Sequence, residues 1–463
     1  MTGLEILIEL SRDAGRLHAQ LERQLREAIR AGRLSAHAPL PTTRALAGQL
    51  GVSRGVVVEA YAQLKSEGYL EARPGAGTRV AIAARTSQSS PAPTASPAAP
   101  AYDFHPGHPD LSQFPRAAWA RSLRAALKDA AHSEMGYGDV RGVVALRRSL
   151  AYYLGRVRGT VAEPEHILIS TGHTQAITLT LRALARQGAK RVAVEDPGFV
   201  VDRALITHLG LETVPIPVDE HGIDTEHLGE TGADVVLVTP AHQFPTGVVL
   251  SPPRRRALIE WAKANETLII EDDYDAEYRY DRQPVGALQG LAPDHVIYSG
   301  TTSKTLAPGL RLAWSILPEQ IRGAVAAEKA MDDQGTPTLE QLTLAVFLDN
   351  GELDRHVRRM RPHYEQRRHA LTRAVARHLP DTRLQGIPAG LHALLHLPAG
   401  VKEHDLLGAL FADGVAVQGL SSAYHDQRRA PPGLILGYGN QPPATIEQGI
   451  RRIATIRQRI QSP

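Results

Sequence analysis

The stretch that most constrains the fold is residues 83–101, which read Ala-Ala-Arg-Thr-Ser-Gln-Ser-Ser-Pro-Ala-Pro-Thr-Ala-Ser-Pro-Ala-Ala-Pro-Ala. A segment of this composition offers almost no side chain that a hydrophobic core could use. It predicts a semi-extended tether that spans up to roughly 60 Å at about 3 Å per residue. The chain of 463 residues is also too long for one ordinary domain. We therefore predict a first domain at 1–82, a linker at 83–101 and a large domain at 102–463.

Composition narrows the class of protein. A hydrophobic content of 43% and a charged content of 22% are typical of globular proteins. No window approaches the roughly 18 uninterrupted apolar residues of a membrane span, and no basic segment precedes the first apolar residues as in a signal peptide. The sequence has no cysteine, which excludes disulfides and thiolate metal sites. We expect a cytoplasmic protein that has no membrane partner.

The first 82 residues carry the pattern of three short helices. Apolar residues at four-residue steps predict a first helix that ends near Gly32; they are Leu17, Leu21, Leu25 and Ile29. A second helix begins at Thr42 or Thr43 and ends at Gly51, and Ser53 then caps a third. Two short helices joined by a tight turn predict a helix-turn-helix, whose second helix enters the major groove of DNA through its first turn.

A hairpin follows these helices. Residues 69–73 and 78–81 are strand-like and flank the turn Pro74-Gly-Ala-Gly77. Arg73 and Arg79 lie beside this glycine-rich tip. The pattern predicts a wing that contacts the DNA backbone or minor groove, although each arginine is equally compatible with a solvated surface charge.

The large domain alternates strand-like and helical runs. The strand-like runs are Ile167 to Ser170, Arg191 to Glu195, Val235 to Thr239, Leu268 to Glu271 and Val296 to Ser299. Helix-length segments separate most of them, and this alternation predicts an α/β domain with a parallel sheet wrapped by helices. Ligands of such sheets bind beyond the carboxyl ends of the strands.

One lysine lies just past a predicted strand end. In Tyr298-Ser-Gly-Thr-Thr-Ser-Lys-Thr-Leu-Ala-Pro-Gly-Leu-Arg311, the apolar run ends in hydroxylated residues before Lys304. An amine held there loses its proton more readily than one in water, and a neutral amine condenses with an aldehyde to a Schiff base. The hydroxyls of Thr301 and Ser303 and the charge of Arg311 suit a phosphate. An aldehyde and a phosphate on one molecule describe pyridoxal 5'-phosphate (PLP). The alternative is an ordinary loop lysine on a polar turn.

Two further strand ends add to this hypothesis. Gly172 and His173 open a predicted helix after a strand, so the backbone N–H groups there would point at an anion such as phosphate. The turn Glu195-Asp-Pro-Gly-Phe199 places an aromatic ring where it could stack on a flat heterocycle. Each feature alone has an ordinary structural explanation, a steric glycine or a core phenylalanine.

The segment Leu268-Ile-Ile-Glu-Asp-Asp-Tyr-Asp275 supplies the carboxylate that the pyridine nitrogen of PLP requires. We favour Asp272 for this role, with Tyr274 reaching the ring hydroxyl, while Glu271 and Asp273 remain alternatives. An opposite charge about 4 Å away is worth on the order of 4 kcal/mol near a protein surface, enough to keep the pyridine nitrogen protonated. Acidic strand ends also hold divalent metals, but no second cluster or His-x-x-x-His spacing supports one, and we expect no metal.

These motifs together carry a resemblance. Leu40-Pro-Thr-Thr-Arg44, Leu50-Gly-Val-Ser-Arg54 and Gly68-Tyr-Leu-Glu-Ala-Arg-Pro-Gly-Ala-Gly77 resemble the GntR-type winged helix-turn-helix. The order phosphate turn, aromatic turn, acid strand and Ser-x-Lys looks like the fold-type I aminotransferase family. Further matches are Tyr137-Gly-Asp-Val-Arg-Gly142, Thr239-Pro-Ala-His-Gln-Phe-Pro-Thr-Gly247 and Gly390-Leu-His392. The whole chain is similar to the MocR/GabR group, transcription regulators that fuse the two domains.

The resemblance implies roles for individual residues. It implies that Lys304 binds PLP covalently, Asp272 contacts the ring nitrogen, Tyr274 the ring oxygen and Phe199 the ring face. It places near the phosphate Gly172, His173, Thr301, Ser303 and Arg311. It implies DNA contacts from the helix-turn-helix and wing, namely Thr43, Arg44, Ser53, Arg54, Gly55, Arg73, Gly75 and Gly77. Members of the group commonly form head-to-tail homodimers.

Two departures bear on activity. Aminotransferases have an asparagine before Pro-Thr-Gly where this chain has Phe244, and residues 433–438 lack the arginine that clamps a substrate carboxylate. Arg203, after the aromatic turn, is the candidate to replace that arginine in binding an effector. Efficient transamination is therefore doubtful. We expect a regulator that senses PLP, with possible control of vitamin B6 synthesis, or a PLP adduct of an amine or amino acid such as gamma-aminobutyrate. The alternative is a working amino-acid aminotransferase with an accessory DNA-binding domain.

Overall fold

The structure, a computed structural model, describes residues 8–13, 15–73, 77–81, 100–280 and 285–461. The chain divides into two compact units, Met1–Ala98 and Ala99–Pro463. Most of the predicted linker lies outside the described residues, as does Gly75 of the predicted wing. Each unit is described separately below.

The first unit contains three helices and a two-stranded sheet. The elements are α1 (Leu17–Arg30), α2 (Thr43–Leu50), α3 (Arg54–Ser66), β1 (Leu70–Arg73) and β2 (Gly77–Val80). The apolar side chains of α1 and α3 that recur at three- and four-residue steps are buried against each other, including Leu21, Leu25, Val57 and Tyr61. The predicted helix-turn-helix and its antiparallel hairpin are therefore present.

The turn between α2 and α3 depends on a cap at each end of α2. The Thr42 hydroxyl accepts a hydrogen bond from the Ala45 N–H at 3.2 Å. Gly51 ends the helix in the left-handed conformation, with φ of 62°, and its N–H bonds to the Ala47 carbonyl. Ser53 precedes α3 as predicted, but its side chain makes no capping hydrogen bond.

Helices in the second unit flank its sheets. They are α4 (Arg116–Asp129), α5 (Val144–Arg158), α6 (His173–Arg186), α7 (Val200–His208), α8 (Thr225–Leu228), α9 (Pro252–Ala264), α10 (Glu319–Asp332), α11 (Thr338–Asp349), α12 (Glu352–His378), α13 (Glu403–Ala412) and α14 (Pro443–Gln461). Short 3₁₀ turns lie at Leu111–Gln113, His132–Met135, Pro164–His166, Pro308–Leu310, Leu420–Ala423 and Gln427–Arg429. None of the helices within the described ranges has the length and apolar character needed to cross a membrane.

The strands of this unit form three sheets. They are β3 (Tyr102–Asp103), β4 (Ile167–Ser170), β5 (Arg191–Asp196), β6 (Glu212–Asp219), β7 (Gly222–Ile223), β8 (Val235–Val238), β9 (Leu268–Asp273), β10 (Val296–Thr301), β11 (Ala313–Ile316), β12 (Arg383–Gln385), β13 (His392–His396), β14 (Val415–Ala416), β15 (Gln418–Gly419) and β16 (Gly433–Gly437). The largest sheet has the order β4-β11-β10-β9-β8-β5-β6-β7. A four-stranded antiparallel sheet, β12-β13-β16-β15, and the pair β14-β3 complete the unit.

The large sheet contains the predicted parallel strands, and the antiparallel strands β7 and β11 make it mixed. The pairs β6-β5, β5-β8, β8-β9 and β9-β10 are parallel, whereas β11 is antiparallel to both β10 and β4, and β7 is antiparallel to β6. A parallel connection needs a crossover of about a dozen residues or more, usually a helix. The segment between β10 and β11 contains only the short turn Pro308–Leu310, so the chain reverses direction there.

Both faces of this sheet are covered. Ile167 and Ile169 of β4 belong to one hydrophobic cluster, while Leu168 between them belongs to another on the opposite face. Burial of both faces explains why the strands read as continuous apolar runs in the sequence. The polar residues at the strand ends are thereby held on a rigid scaffold.

We predict opposite effects for two glycine substitutions, one within α2 and one at its C-terminal cap. Gly51→Ala should destabilise the first unit by about 1 kcal/mol, because alanine disfavours the left-handed conformation. Gly48 lies within α2, has no atom within 4 Å of the position of an added Cβ and has no positive φ. Gly48→Ala should therefore stabilise the unit by roughly 0.5–1 kcal/mol. Hydrogen exchange of the α3 amides in the full chain measures the change in unfolding free energy that each substitution causes. Equal changes for Gly51→Ala and Gly48→Ala would contradict the assignment of Gly51 as the helix cap.

Candidate cofactor-binding site

A cavity of about 290 Å³ opens at the carboxyl ends of β8, β9 and β10. Seven of the predicted cofactor residues line it: His173, Phe199, Asp272, Tyr274, Thr301, Ser303 and Lys304. The parallel register of β9 and β10, which pairs Asp272 with Ser299, brings these two strand ends together. The location agrees with the general rule that ligands of such sheets bind beyond the strand ends.

Lys304 is partly buried in this cavity. Its Nζ donates a hydrogen bond to the Gly107 carbonyl at 2.9 Å. Burial lowers the pKa of Lys304, while the negative charges of Asp275 and Asp272 act in the opposite direction. The neutral amine is therefore more accessible than that of a surface lysine.

The three adjacent acids of β9 have different environments. The Glu271 carboxylate accepts hydrogen bonds from the Leu288 and Gln289 backbone N–H groups, at 2.9 and 3.1 Å. Asp273 pairs with Arg158 at 2.6 Å on the same side of the strand. Asp272 points to the other side, as alternation along a strand requires, and it alone of the three lines the cavity.

Asp272 retains an unsatisfied oxygen. Its Oδ1 is buried and lacks a hydrogen bond, although it lies 3.3 Å from His173 Nδ1. His173 Nε2 lies 3.1 Å from Asp202 Oδ1. Burial opposes protonation of the imidazole, but the charges of Asp272 and Asp202 outweigh it and raise the pKa of His173 well above its usual value. Because its Oδ1 makes no hydrogen bond, the buried Asp272 carboxylate is suited to accept one from a cationic N–H of a ligand.

Gly172 and Arg311 contact each other beside the cavity but do not line it. Arg311 Nη2 donates to the Thr171 carbonyl at 2.7 Å. A Cβ built on Gly172, whose φ is 102°, would lie 2.5 Å from this guanidinium nitrogen, so only glycine fits there. Thr301 and Ser303 share a hydrogen bond at 2.9 Å between their hydroxyl oxygens. The predicted phosphate residues thus meet where helix α6 begins, and their roles remain predictions.

Two aromatic residues flank the cavity. Phe199 is more than one-third exposed, and its ring packs edge-on against Phe244 at 5.6 Å between centroids. The Tyr274 hydroxyl donates to the His242 carbonyl at 2.7 Å. Tyr274 therefore has its own donor engaged, and its oxygen is left to accept a hydrogen bond.

Arg203 does not line the cavity. Its guanidinium donates to four backbone carbonyls, those of Gly198, Ser422, Ala423 and Tyr424. Burial lowers the pKa of Arg203. These contacts attach α7 to residues 422–424, and the predicted effector contact by Arg203 has no support from this arrangement.

Sequence reasoning assigned no role to several residues that line the cavity. They include Gly107, Thr239, Phe244, His392 and Gln418. Thr239 directly follows β8 and could have been found by the strand-end argument. Gly107 and Gln418 come from segments with no local signal, and only the tertiary fold brings them to the site.

Two groups of His and Asp side chains have possible ligand atoms within 4.8 Å of one another. They are His173, Asp202 and Asp272, and His242, Asp275 and His392. A His–Asp pair accounts for the short distances within each group. His173 Nε2 lies 3.1 Å from Asp202 Oδ1, and His242 Nδ1 lies 3.0 Å from Asp275 Oδ2. The expectation that the chain holds no metal stays a prediction.

In the first unit, the predicted DNA contacts gather at the start of α2 and α3. Arg44, Ser53, Arg54 and Gly55 are exposed. Arg54 Nε donates to the Thr43 hydroxyl at 3.4 Å, which links the two helix N-termini. Gly77 begins β2, whereas the side chain of Arg73 lies outside the described part of the chain.

Comparison with known proteins places both units in families. Residues 17–80 match the bacterial regulatory proteins of the gntR family, and residues 106–452 match aminotransferase class I and II. The uncharacterized HTH-type transcriptional regulator YdeL of Bacillus subtilis is 35% identical, over 94% of this chain and 96% of its own. The probable rhizopine catabolism regulatory protein MocR of Rhizobium meliloti is 33% identical, over 96% and 95% of the two chains. This chain belongs to the MocR-type HTH transcriptional regulators.

A third relative of this MocR-type regulator has a more specific name. The HTH-type pyridoxine biosynthesis transcriptional regulator PdxR of Corynebacterium glutamicum is 34% identical, over 94% of each chain. Among solved structures, the kynurenine aminotransferase of Pyrococcus horikoshii, in complex with PMP, gives a TM-score of 0.72 at 26% identity. The match covers 78% of the regulator and 91% of the aminotransferase. The predictions of family, fold class and transcriptional function are confirmed.

The residues of the regulator's cavity fit PLP. The partly buried Lys304 amine, the buried Asp272 carboxylate and the Phe199 ring suit an aldehyde, a pyridinium N–H and a flat heterocycle. When bound, PLP supplies an electrophilic aldehyde carbon and an electron-withdrawing ring. The aminotransferase-like unit supports the predicted cofactor.

We predict a shifted pH dependence for capture of PLP by the regulator. Because burial lowers the pKa of Lys304, capture, followed by visible absorbance, should increase with pH with a midpoint below the value of about 10.4 for a free lysine. Asp275→Asn removes a charge that stabilises the ammonium, so its midpoint should move to lower pH. Asp129→Asn, an exposed change on α4, is the control. A wild-type midpoint at or above the pKa of free lysine would contradict the prediction that burial makes Lys304 easier to deprotonate.

Proposed function

We propose that the chain is a transcription regulator in which PLP bound at Lys304 changes how the winged helix-turn-helix engages DNA. The observation that carries the proposal is that one cavity holds both the partly buried Lys304 amine and the buried Asp272 carboxylate, whose Oδ1 faces His173 and makes no hydrogen bond. Lys304 binds the aldehyde, Asp272 the ring nitrogen, Tyr274 the ring oxygen and Phe199 the ring face. His173, Thr301 and Ser303 lie near the phosphate, with Gly172 and Arg311 behind them.

The regulated process follows from chemistry and from one relative. A regulator that binds PLP is suited to control vitamin B6 synthesis, and the printed name of the C. glutamicum relative supports this. A PLP adduct of an amine or amino acid is the second possible effector. We place the protein in the cytoplasm.

The DNA contacts are proposed on the exposed helix ends. Arg44 and Arg54 would contact DNA from α2 and α3, with support from Thr43, Ser53 and Gly55. Arg73, Gly75 and Gly77 would contact phosphates from the wing. We further propose a head-to-tail homodimer, since the tether of residues 83–101 is long enough to reach a partner subunit. Two arrangements of the winged units with different affinity for PLP would provide the coupling.

A working aminotransferase is the less favoured function. No arginine is among the described residues that line the cavity, so the usual clamp for a substrate carboxylate is missing there. Phe244 also occupies the position of the asparagine that aminotransferases use. Amino-acid turnover that deletion of residues 1–82 leaves unchanged would favour the enzyme.

We predict that PLP changes DNA affinity only through Lys304. The measurement is the Kd for DNA from the promoter beside the chain's own gene, with and without PLP, at fixed salt. PLP should change the wild-type Kd by about fivefold or more, the lower end of usual allosteric coupling. Lys304→Ala should bind DNA with a Kd that PLP does not change. Lys128→Ala, a change at an exposed residue, should show the same PLP-dependent change in Kd as wild type. A response that persists in Lys304→Ala would disprove the coupling.

We also predict a specific loss of DNA binding on changing the start of α3. Arg54→Ala should weaken operator binding about tenfold and, for a phosphate contact, reduce the salt slope by about 1. Arg33→Ala removes an equally exposed charge outside the helix-turn-helix and should have little effect. If the two variants weaken binding equally, the role of Arg54 is general charge and the predicted contact is wrong.

A further inference from the structure

His392 is a cavity residue to which the proposed function assigns no role. It is the first residue of β13, lines the cavity and is only 1% exposed. Its ring lies 4.8 Å from that of His242 and 5.1 Å from that of Phe244. The charge of Lys304 acts on it, which agrees with a position at the same cavity.

The hydrogen bonds of His392 fix which nitrogen is free. The ring bonds to the backbone of Pro245, while Nε2 is buried and lacks a partner. The nitrogen that donates to the Pro245 carbonyl is therefore Nδ1, and in the neutral ring Nε2 carries a lone pair. Burial lowers the pKa of His392 well below its usual value, and the neighbouring His242 and Arg368 act in the same direction, so the ring is neutral at physiological pH.

The lone pair of His392 Nε2 has no hydrogen-bond donor, which determines the ligand groups that can bind beside it. A hydroxyl or N–H group of a ligand would satisfy Nε2, whereas a carboxylate would face a second acceptor and lose its hydration. Neither Tyr438 nor an arginine offsets this preference. Tyr438, after β16, donates its hydroxyl to the Ala389 and Gly390 carbonyls, and no arginine lines the described cavity.

We propose that His392 determines effector specificity, because its Nε2 accepts a hydrogen bond from a hydroxyl or N–H group of the bound effector and disfavours a carboxylate at that place. This proposal rests on the proposed binding of PLP in the same cavity. The donor has two possible sources, the ring hydroxyl of PLP itself or the hydroxyl or N–H of an amine bound together with PLP. Free amino acids are then poor effectors.

The test uses the full chain and two readouts. The first is the Kd for PLP, from visible absorbance, in wild type and in His392→Phe, which keeps a ring but removes the acceptor. The second is the affinity of the PLP-loaded protein for ethanolamine, ethylamine and glycine, from the shift of the visible band. These three amines differ only in whether a hydroxymethyl, a methyl or a carboxylate group follows the aminomethyl group.

The expected results separate the two sources. If the donor is on a second compound, wild type should prefer ethanolamine over glycine by about fivefold or more, the effect of one net hydrogen bond, and His392→Phe should lose this preference. If the donor is on PLP, His392→Phe should weaken PLP itself by about fivefold. His392→Gln, whose amide oxygen is an acceptor, should restore most of either effect. His404→Phe, an exposed change on α13, should match wild type in both readouts.

Two results would overturn the proposal. One is that wild type binds glycine as tightly as ethanolamine or more tightly while His392→Phe keeps the wild-type Kd for PLP; the other is that both readouts are unchanged in His392→Phe. An unchanged Kd for PLP also shows that the variant is folded. Failure of the proposed function would look different, since wild type would then develop no visible band with PLP.

Discussion

The structure depends on how one amine is held at the end of a buried strand. Lys304 follows β10, its pKa lowered by burial, while two carboxylates act against that shift and keep the charged form accessible. Comparison with a second buried lysine, Lys329, shows what is distinctive about the environment of Lys304. Lys329 Nζ donates to Gln175, Asp333 and Thr336 and lines none of the described cavities, so its amine serves the packing of α10. Burial alone does not make a binding lysine; an open cavity beside the amine does.

The sheet supplies the rigidity that the site requires. Alternation along β9 sends Glu271 and Asp273 to one side, where backbone N–H groups and Arg158 satisfy them, and Asp272 to the other. The Tyr298 hydroxyl on β10 also donates to Asp273 at 2.7 Å, so neighbouring strands are joined beneath the cavity. Carboxylates fixed in this way keep their orientation when a ligand enters, which is what preorganised binding needs.

Much of this arrangement could be predicted because its signals are local. Strand ends followed by chemically suited side chains identify Lys304 and Asp272, and the capping glycine at position 51 marks the helix-turn-helix. The antiparallel β11 and the places of Gly107 and His392 in the cavity lining could not be predicted, because they depend on which distant segments the fold brings together. Arg203 is the sequence-based candidate to bind an effector in place of the missing arginine, but in the fold its guanidinium donates to the backbone carbonyls of residues 422–424.

The most direct test of the account is to locate the lysine that carries PLP. The protein is incubated with PLP, reduced with borohydride, digested and analysed by mass spectrometry for a phosphopyridoxyl group. Our account predicts the modification on Lys304, at about one group per chain. Modification at Lys329 or spread over surface lysines, with Lys304 unmodified, would contradict it.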